Sequence, residues 1–164
     1  HKKGKEQWSR ERLKFAYRTS SLKRENEDAI ILSALLKIES GNPETIITTM
    51  KEHKEKRAKT QPSGASMGSV FRNPKGDKAG RLIEAVGLKG KRIGGAEISP
   101  MHANFIINTD GASAQDVWAL IDLMQSSVKS KFGINLYPEI QIIGDWDKKV
   151  LSSFDEFKFK SVNQ

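Results

Sequence analysis

From Ser113 to Gly133 the chain carries one helix-length segment. Its apolar residues Val117, Leu120, Ile121, Met124 and Val128 recur at the spacing of a single helix face. Ser113-Ala114-Gln115-Asp116 opens it as a capping box with Asp in place of Glu, and Gly133 closes it. A helix with one apolar stripe must bury that stripe against a second layer. The segments able to form such a layer are strands: one through Ser69, then Ile93 to Ile98, Asn104 to Asn108 and Glu139 to Ile143. Gly80 to Val86 adds a shorter amphipathic helix stopped by Gly87. The expectation is an α+β domain with a mixed sheet and two main helices, running from about Gln61 to the end of the chain. Trp146, Val150, Leu151, Phe154 and Phe157 in the tail are expected to form a short docked helix.

The part before Gln61 has a different texture. Leu13 to Tyr17 reads as a short strand. Ala29 to Ile38 is almost continuously apolar and reads as a buried strand. Gly41-Asn42-Pro43-Glu44 starts a helix, with Asn42 as cap, Pro43 in the first helical position and Glu44 facing the dipole. That helix should reach about Lys59, with Ile46, Ile47 and Met50 confined to its first half. Gln61 to Gly68 is rich in Ser, Gly and Pro and reads as a linker. The boundary expected there divides the chain into residues 1–60 and 61–164.

The 164 residues contain no cysteine, so no disulfide framework and no thiolate metal site is possible. The three histidines, at positions 1, 53 and 102, lack a paired metal spacing. No apolar run reaches the ~18 residues of a membrane helix, and no signal-peptide pattern is visible. Absent cysteines fit a cytoplasmic protein. The net charge of +8 is concentrated before Gln61. It suggests an anionic partner: nucleic acid, a membrane or a phosphorylated metabolite. Nucleic acid is disfavoured, because the basic residues are not interleaved with aromatics and no DNA-binding motif spacing occurs. Lys51 to Lys59 then reads as a solvated helix face.

Gly68-Ser69-Val70-Phe71-Arg72-Asn73-Pro74 concentrates the chemistry. Gly68 lets a ligand approach the backbone, and Pro74 holds Asn73 extended. In an extended segment Ser69 and Asn73 face one way and Val70 faces a core. The same residues could also make a plain surface turn. Gly90-Lys91-Arg92 lacks the hydroxyl of a P-loop, and the glycines at 87, 90, 94 and 95 do not form a dinucleotide fingerprint. A Ser69/His102/Asp110 triad lacks the nucleophile elbow. His102, after Pro100 and before an apolar strand, reads as a turn residue with a satisfied ring. Glu139 reads as a solvated carboxylate, and Arg18 as a surface cation or a forked carboxylate binder.

Several pieces occur together in one order. They are Phe15-Ala16-Tyr17-Arg18-Thr19-Ser20, the Ser69 segment, Ala79-Gly80-Arg81-Leu82-Ile83-Glu84, Gly87-Leu88-Lys89-Gly90 and Ile93-Gly94-Gly95-Ala96. Ser99, His102-Ala103-Asn104-Phe105-Ile106-Ile107-Asn108 and Leu136-Tyr137-Pro138-Glu139-Ile140 follow. From about Leu13 to Gly144 the chain resembles the UDP-N-acetylenolpyruvoylglucosamine reductases, flavoenzymes of peptidoglycan precursor synthesis. The resemblance implies reduction of UDP-N-acetylglucosamine enolpyruvate to UDP-N-acetylmuramate with FAD and NADPH. Ser69 would be the proton donor, with Glu139 and Arg18 polarising the substrate carboxylate. Asn73, His102 and Lys59 would bind substrate.

The resemblance further implies that residues 1–60 are the end of an FAD-binding domain and 61–164 the substrate-binding domain. The family's main FAD loops find no counterpart here, so this chain is expected to bind FAD weakly and to be inactive when isolated. The short interval between the arginine and serine motifs resembles the family type without a tyrosine loop insertion. A basic nucleic-acid-binding module and an inactive sugar-nucleotide-binding domain are the competing readings.

Overall fold

The structure, a computed structural model, describes residues 4–25 and 27–146. They fall into two compact units, one ending at Ser40 and the other beginning at Gly41.

In the first unit, α1 (Arg10–Leu13) is capped by Ser9, whose hydroxyl accepts the Arg12 N–H at 3.3 Å. Lys14 then turns left-handed at φ 42°. Ala16 and Thr19 exchange backbone hydrogen bonds at 3.0 and 3.2 Å, closing a tight turn with Arg18 at φ 57°. A second single turn, α2 (Ser21–Arg24), follows, and the Ser21 hydroxyl donates to the Arg12 carbonyl at 3.0 Å. The strand expected over Leu13 to Tyr17 is therefore replaced by a helical turn and a reverse turn. Left-handed residues at 14 and 18 are incompatible with a ladder. The buried strand expected over Ala29 to Ile38 is also absent. These residues are exposed and belong to no helix or strand. An apolar run buried on both faces needs neighbours on both edges and layers above and below. The described residues of this unit supply none.

The second unit opens with α3 (Pro43–Thr60), the helix expected from Asn42. The Asn42 carboxamide oxygen accepts the Glu44 and Thr45 N–H groups at 2.9 and 3.1 Å. No residue of α3 is buried. Next come β1 (Ser66–Ser69), α4 (Ala79–Ala85), β2 (Arg92–Ile93), β3 (Ala96–Ile98), β4 (Phe105–Asn108) and α5 (Ala114–Phe132). The strands form one sheet in the order β1-β4-β3-β2. The α+β class is as expected, but the sheet is antiparallel throughout its described strands rather than mixed. β2, β3 and β4 are joined by tight reversals, which permit only antiparallel neighbours.

Two of those strands were expected as one. Ile93 to Ile98 is a hairpin, with Ile93 facing Ala96 across Gly94-Gly95. Gly94 is left-handed at φ 51°. A Cβ at Gly95 would collide with the Asp110 carbonyl oxygen. Paired glycines between two short strands are a hairpin signal that outweighs strand continuity.

α5 covers the sheet as its apolar stripe requires. Ser113 and Asp116 form the capping box, and Gly133 caps the far end at φ 68°. Leu120, Ile121, Met124 and Val128 are buried with Ile98, Ile106, Leu82, Ile83, Val70, Phe71 and Leu136 in one core. Val117 packs at its edge, half-buried. The strand expected over Glu139 to Ile143 shrinks to a single antiparallel bridge between Phe71 and Pro138. In that antiparallel register Glu139 lies opposite Val70, and the chain bends at Ile140 instead of continuing along β1. The tail helix expected from Asp145 lies, past Trp146, outside the described residues.

Candidate functional site

The Ser69 segment is held on both edges. On one side β1 pairs with β4, with Ser69 opposite Phe105 and an irregularity between Ser66 and Ser69. Gly68 sits at φ 82°, a backbone that side chains rarely adopt, and its Cβ direction is open. Beyond Ser69, the Val70 N–H donates to the Asn104 carbonyl at 2.9 Å. On the other side the Glu139 N–H donates to the Val70 carbonyl at 2.8 Å, and the Arg72 N–H to the Tyr137 carbonyl at 3.0 Å. Val70 and Phe71 are both buried, although simple alternation puts only Val70 inside. Phe71 belongs with Val70 to the one core that also holds Leu82, Leu120 and Leu136. Ser69 and Glu139, both half-buried, thus sit on adjoining segments of the second unit.

His102 lies in the loop between β3 and β4. The buried Ser99 hydroxyl gathers this loop by accepting the Met101 and His102 N–H groups at 3.1 and 3.2 Å. His102 Nδ1 accepts the Asn104 N–H at 3.2 Å, which puts the proton of a neutral ring on Nε2. The ring meets Phe105 edge-on at 4.9 Å between centroids. It occupies space left by Gly80, where a Cβ would lie 3.0 Å from His102 Cε1.

The remaining site residues separate. Asn73 is exposed, and its side-chain oxygen accepts the Ala79 N–H at 3.1 Å, fastening the start of α4. Lys59 is exposed in the last turn of α3 and takes no part in the hydrogen bonds that join the Ser69 and Glu139 segments. Arg18 belongs to the first unit, with its guanidinium 6.0 Å from the Tyr17 ring centroid. Arg72, beside the site, stacks its guanidinium 5.6 Å from the Tyr137 ring. Nearby charge is fixed by pairing. The Arg81 guanidinium bonded to Asp77, helped by the Lys78 N–H, holds the Asp77 carboxyl down to about 2. The Ser113 cap bonds lower Asp116.

Sequence reasoning missed two buried carboxamides. Asn104 was counted as an ordinary strand residue, and Gln125 was passed over on a helix face between Met124 and Val128. Gln125 donates to the Leu136 carbonyl at 2.9 Å, tying the Tyr137–Glu139 approach to α5. A polar side chain on the apolar face of a helix was the available signal.

Residues 60–143 match the family model described as UDP-N-acetylenolpyruvoylglucosamine reductase, C-terminal domain. The chain belongs to that reductase family. It is 46% identical over 136 residues to a UDP-N-acetylenolpyruvoylglucosamine reductase of Bacillus licheniformis, covering 82% of this chain and 73% of that one. It is 49% identical over 133 residues to UDP-N-acetylenolpyruvoylglucosamine reductase 1 of Bacillus anthracis, covering 80% of this chain but 44% of that protein. The crystal structure of the Thermus caldophilus UDP-N-acetylenolpyruvylglucosamine reductase superposes with a TM-score of 0.69 at 37% identity, over 82% of this chain and 47% of that one. The chain thus spans less than half the length of most of the reductases it matches.

Proposed function

We propose that the second unit is the substrate-binding part of a reductase acting on UDP-N-acetylglucosamine enolpyruvate, and that Ser69 is its proton donor. The observation that carries this reading is the 2.8 Å bond from the Glu139 N–H to the Val70 carbonyl. It holds a carboxyl-bearing residue alongside the one hydroxyl of the Gly68–Pro74 segment.

Reduction of an enolpyruvyl ether adds a hydride and a proton across a carbon–carbon double bond. The residues described here address the proton. Charge that builds beside the substrate carboxylate is stabilised by donors aimed at that carboxylate. We assign this to Arg18, through a forked guanidinium, and to Glu139 when protonated. The carbon that becomes basic then takes its proton from the Ser69 hydroxyl. A poor acid suffices when the acceptor is a strong base. The amide nitrogen of Asn73 and Nε2 of His102 are assigned to the sugar nucleotide, and Lys59 to its diphosphate.

FAD and NADPH enter by family likeness. The Gly94-Gly95 turn does not fit a dinucleotide. A Cβ at Gly94 would meet the Asp116 carboxylate and one at Gly95 the Asp110 carbonyl. These glycines therefore face acceptor oxygens, which repel a phosphate. No helix among the described residues is long and apolar enough to cross a membrane. The reading places the reaction in the cytoplasm, in peptidoglycan precursor synthesis.

Titrating UDP-N-acetylglucosamine enolpyruvate into isotope-labelled chain should shift the Ser69, Asn73 and Glu139 amides with one affinity. Shifts confined to Lys51–Lys59 on adding duplex DNA, lost steeply with salt, would instead identify a nucleic-acid module. With the FAD-binding part of a full-length relative supplied together with FAD, substrate-dependent NADPH oxidation should appear and then fall about 10²–10⁴-fold in Ser69→Ala. Binding without any turnover would leave a sugar-nucleotide-binding domain.

A further inference from the structure

We infer that Asn104 is a positioning residue that sets the register of Ser69 against Glu139 by acting as a missing piece of strand. β4 begins at Phe105, and the chain before it is the turn through His102 and Ala103. No backbone is therefore available there to pair with Phe71. The Asn104 side chain fills that place. Its carboxamide oxygen accepts the Phe71 N–H at 3.0 Å, and its amide nitrogen donates to the Phe71 carbonyl at 2.8 Å. A carboxamide carries one acceptor and a donor in the same plane, which is the hydrogen-bonding pattern of a peptide group.

The main chain of the same residue adds a third bond, its carbonyl accepting the Val70 N–H at 2.9 Å. One residue thus fixes both positions that follow Ser69. Across the segment, Phe71 is bridged to Pro138, and the Val70 carbonyl receives the Glu139 N–H. The path from Asn104 to Glu139 runs through two backbone residues and no flexible side chain. Asn104 is only 4% exposed, so water does not compete for these bonds. Its own conformation is fixed from behind by the bond from its N–H to His102 Nδ1. Removing the side chain leaves a buried N–H and a buried C=O on Phe71 without partners, and the segment regains freedom to slide or twist.

This inference deepens the proposed function and rests on it only for the meaning of Ser69 and Glu139. The clamp itself is tested by site-resolved amide hydrogen exchange on the full chain. In Asn104→Leu, which keeps volume and removes both side-chain bonds, the amides of Phe71, Arg72 and Glu139 should exchange about tenfold faster or more. Those of Leu120 and Ile121 in α5 should change far less. Equal acceleration everywhere would reduce Asn104 to a general stabiliser and overturn the inference. So would unchanged exchange at Phe71 and Glu139.

If Asn104→Leu does not fold, Asn104→Asp decides the matter. It retains an acceptor for the Phe71 N–H and loses the donor to the Phe71 carbonyl. Protection should persist at Phe71 and fall at Glu139. Uniform change or no change would again overturn the clamp. With UDP-N-acetylglucosamine as probe, the clamp predicts roughly tenfold weaker binding in Asn104→Leu than in the unaltered chain. Exchange that responds as stated while the unaltered chain ignores the probe would sink the substrate reading and leave the clamp standing.

Discussion

Leu120 and Leu35 are the same side chain in opposite circumstances. Leu120 is fully buried in the second unit, whereas Leu35 in the first is 97% exposed. Both lie in segments that look like core when read along the sequence. The difference is the surrounding polypeptide. Around Leu120, a sheet, a second helix and the Leu136 segment converge. Around Leu35, neighbours of equal apolarity, Ile30, Ile31, Leu32, Leu36 and Ile38, are themselves 72–87% exposed. Hydrophobicity supplies the demand for burial. Only topology supplies the place.

The largest expected effect follows from that contrast. Leu120→Ala should lower the stability of the second unit by about 2–5 kcal/mol in urea denaturation. Leu35→Ala should change it by no more than about 0.5 kcal/mol. Equal losses would mean that the 29–38 run is packed in solution and would break the comparison. The caps give a finer version. Ser113→Ala removes one arm of the capping box on a 19-residue helix and should cost about 1 kcal/mol. Ser9→Ala caps only four residues, none of them buried, and should leave that denaturation transition unmoved.

The smallest effect concerns pH. Asp77 is held from its ordinary 3.8 down to about 2 by the Arg81 guanidinium and the Lys78 N–H. A carboxyl depressed in the folded state favours folding above its unfolded value, and that contribution is lost as pH falls through the folded value. Denaturation midpoints of the unaltered chain and Asp77→Asn, measured from neutral pH downward, should therefore converge between about pH 4 and 2. The pair lies at the surface, with Arg81 exposed and Asp77 half-buried, and the separation at neutral pH should be slight. Parallel curves would show that the pair contributes nothing.

What could be read from the sequence was whatever depends on near neighbours. The α5 stripe, its capping box and its glycine stop are local, as are the Asn42-Pro43 start of α3 and the Gly87 stop. What could not be read was pairing at a distance. Glu139 to Ile143 reads as a strand because its residues suit one. Whether it pairs depends on its running back along Val70 toward Ser66, about seventy residues earlier, and the chain instead bends away at Ile140. Gly94-Gly95 is the exception, a local hairpin signal present in the residues and overridden by the apolar run around it. Among site residues, Ser69 and Glu139 lie on adjoining segments, whereas Asn73 is engaged in starting α4 and Arg18 lies in the other unit. Asn104 escaped notice because a side chain standing in for backbone leaves no periodic trace.

The doubly flanked state of Val70 and Phe71 also limits what a ligand can do there. A peptide cannot recognise this stretch by adding itself as a further strand, since the hydrogen-bonding edges are already spoken for. Any guest must be read by side chains projecting from the faces. That favours a compact polar metabolite over an extended polypeptide.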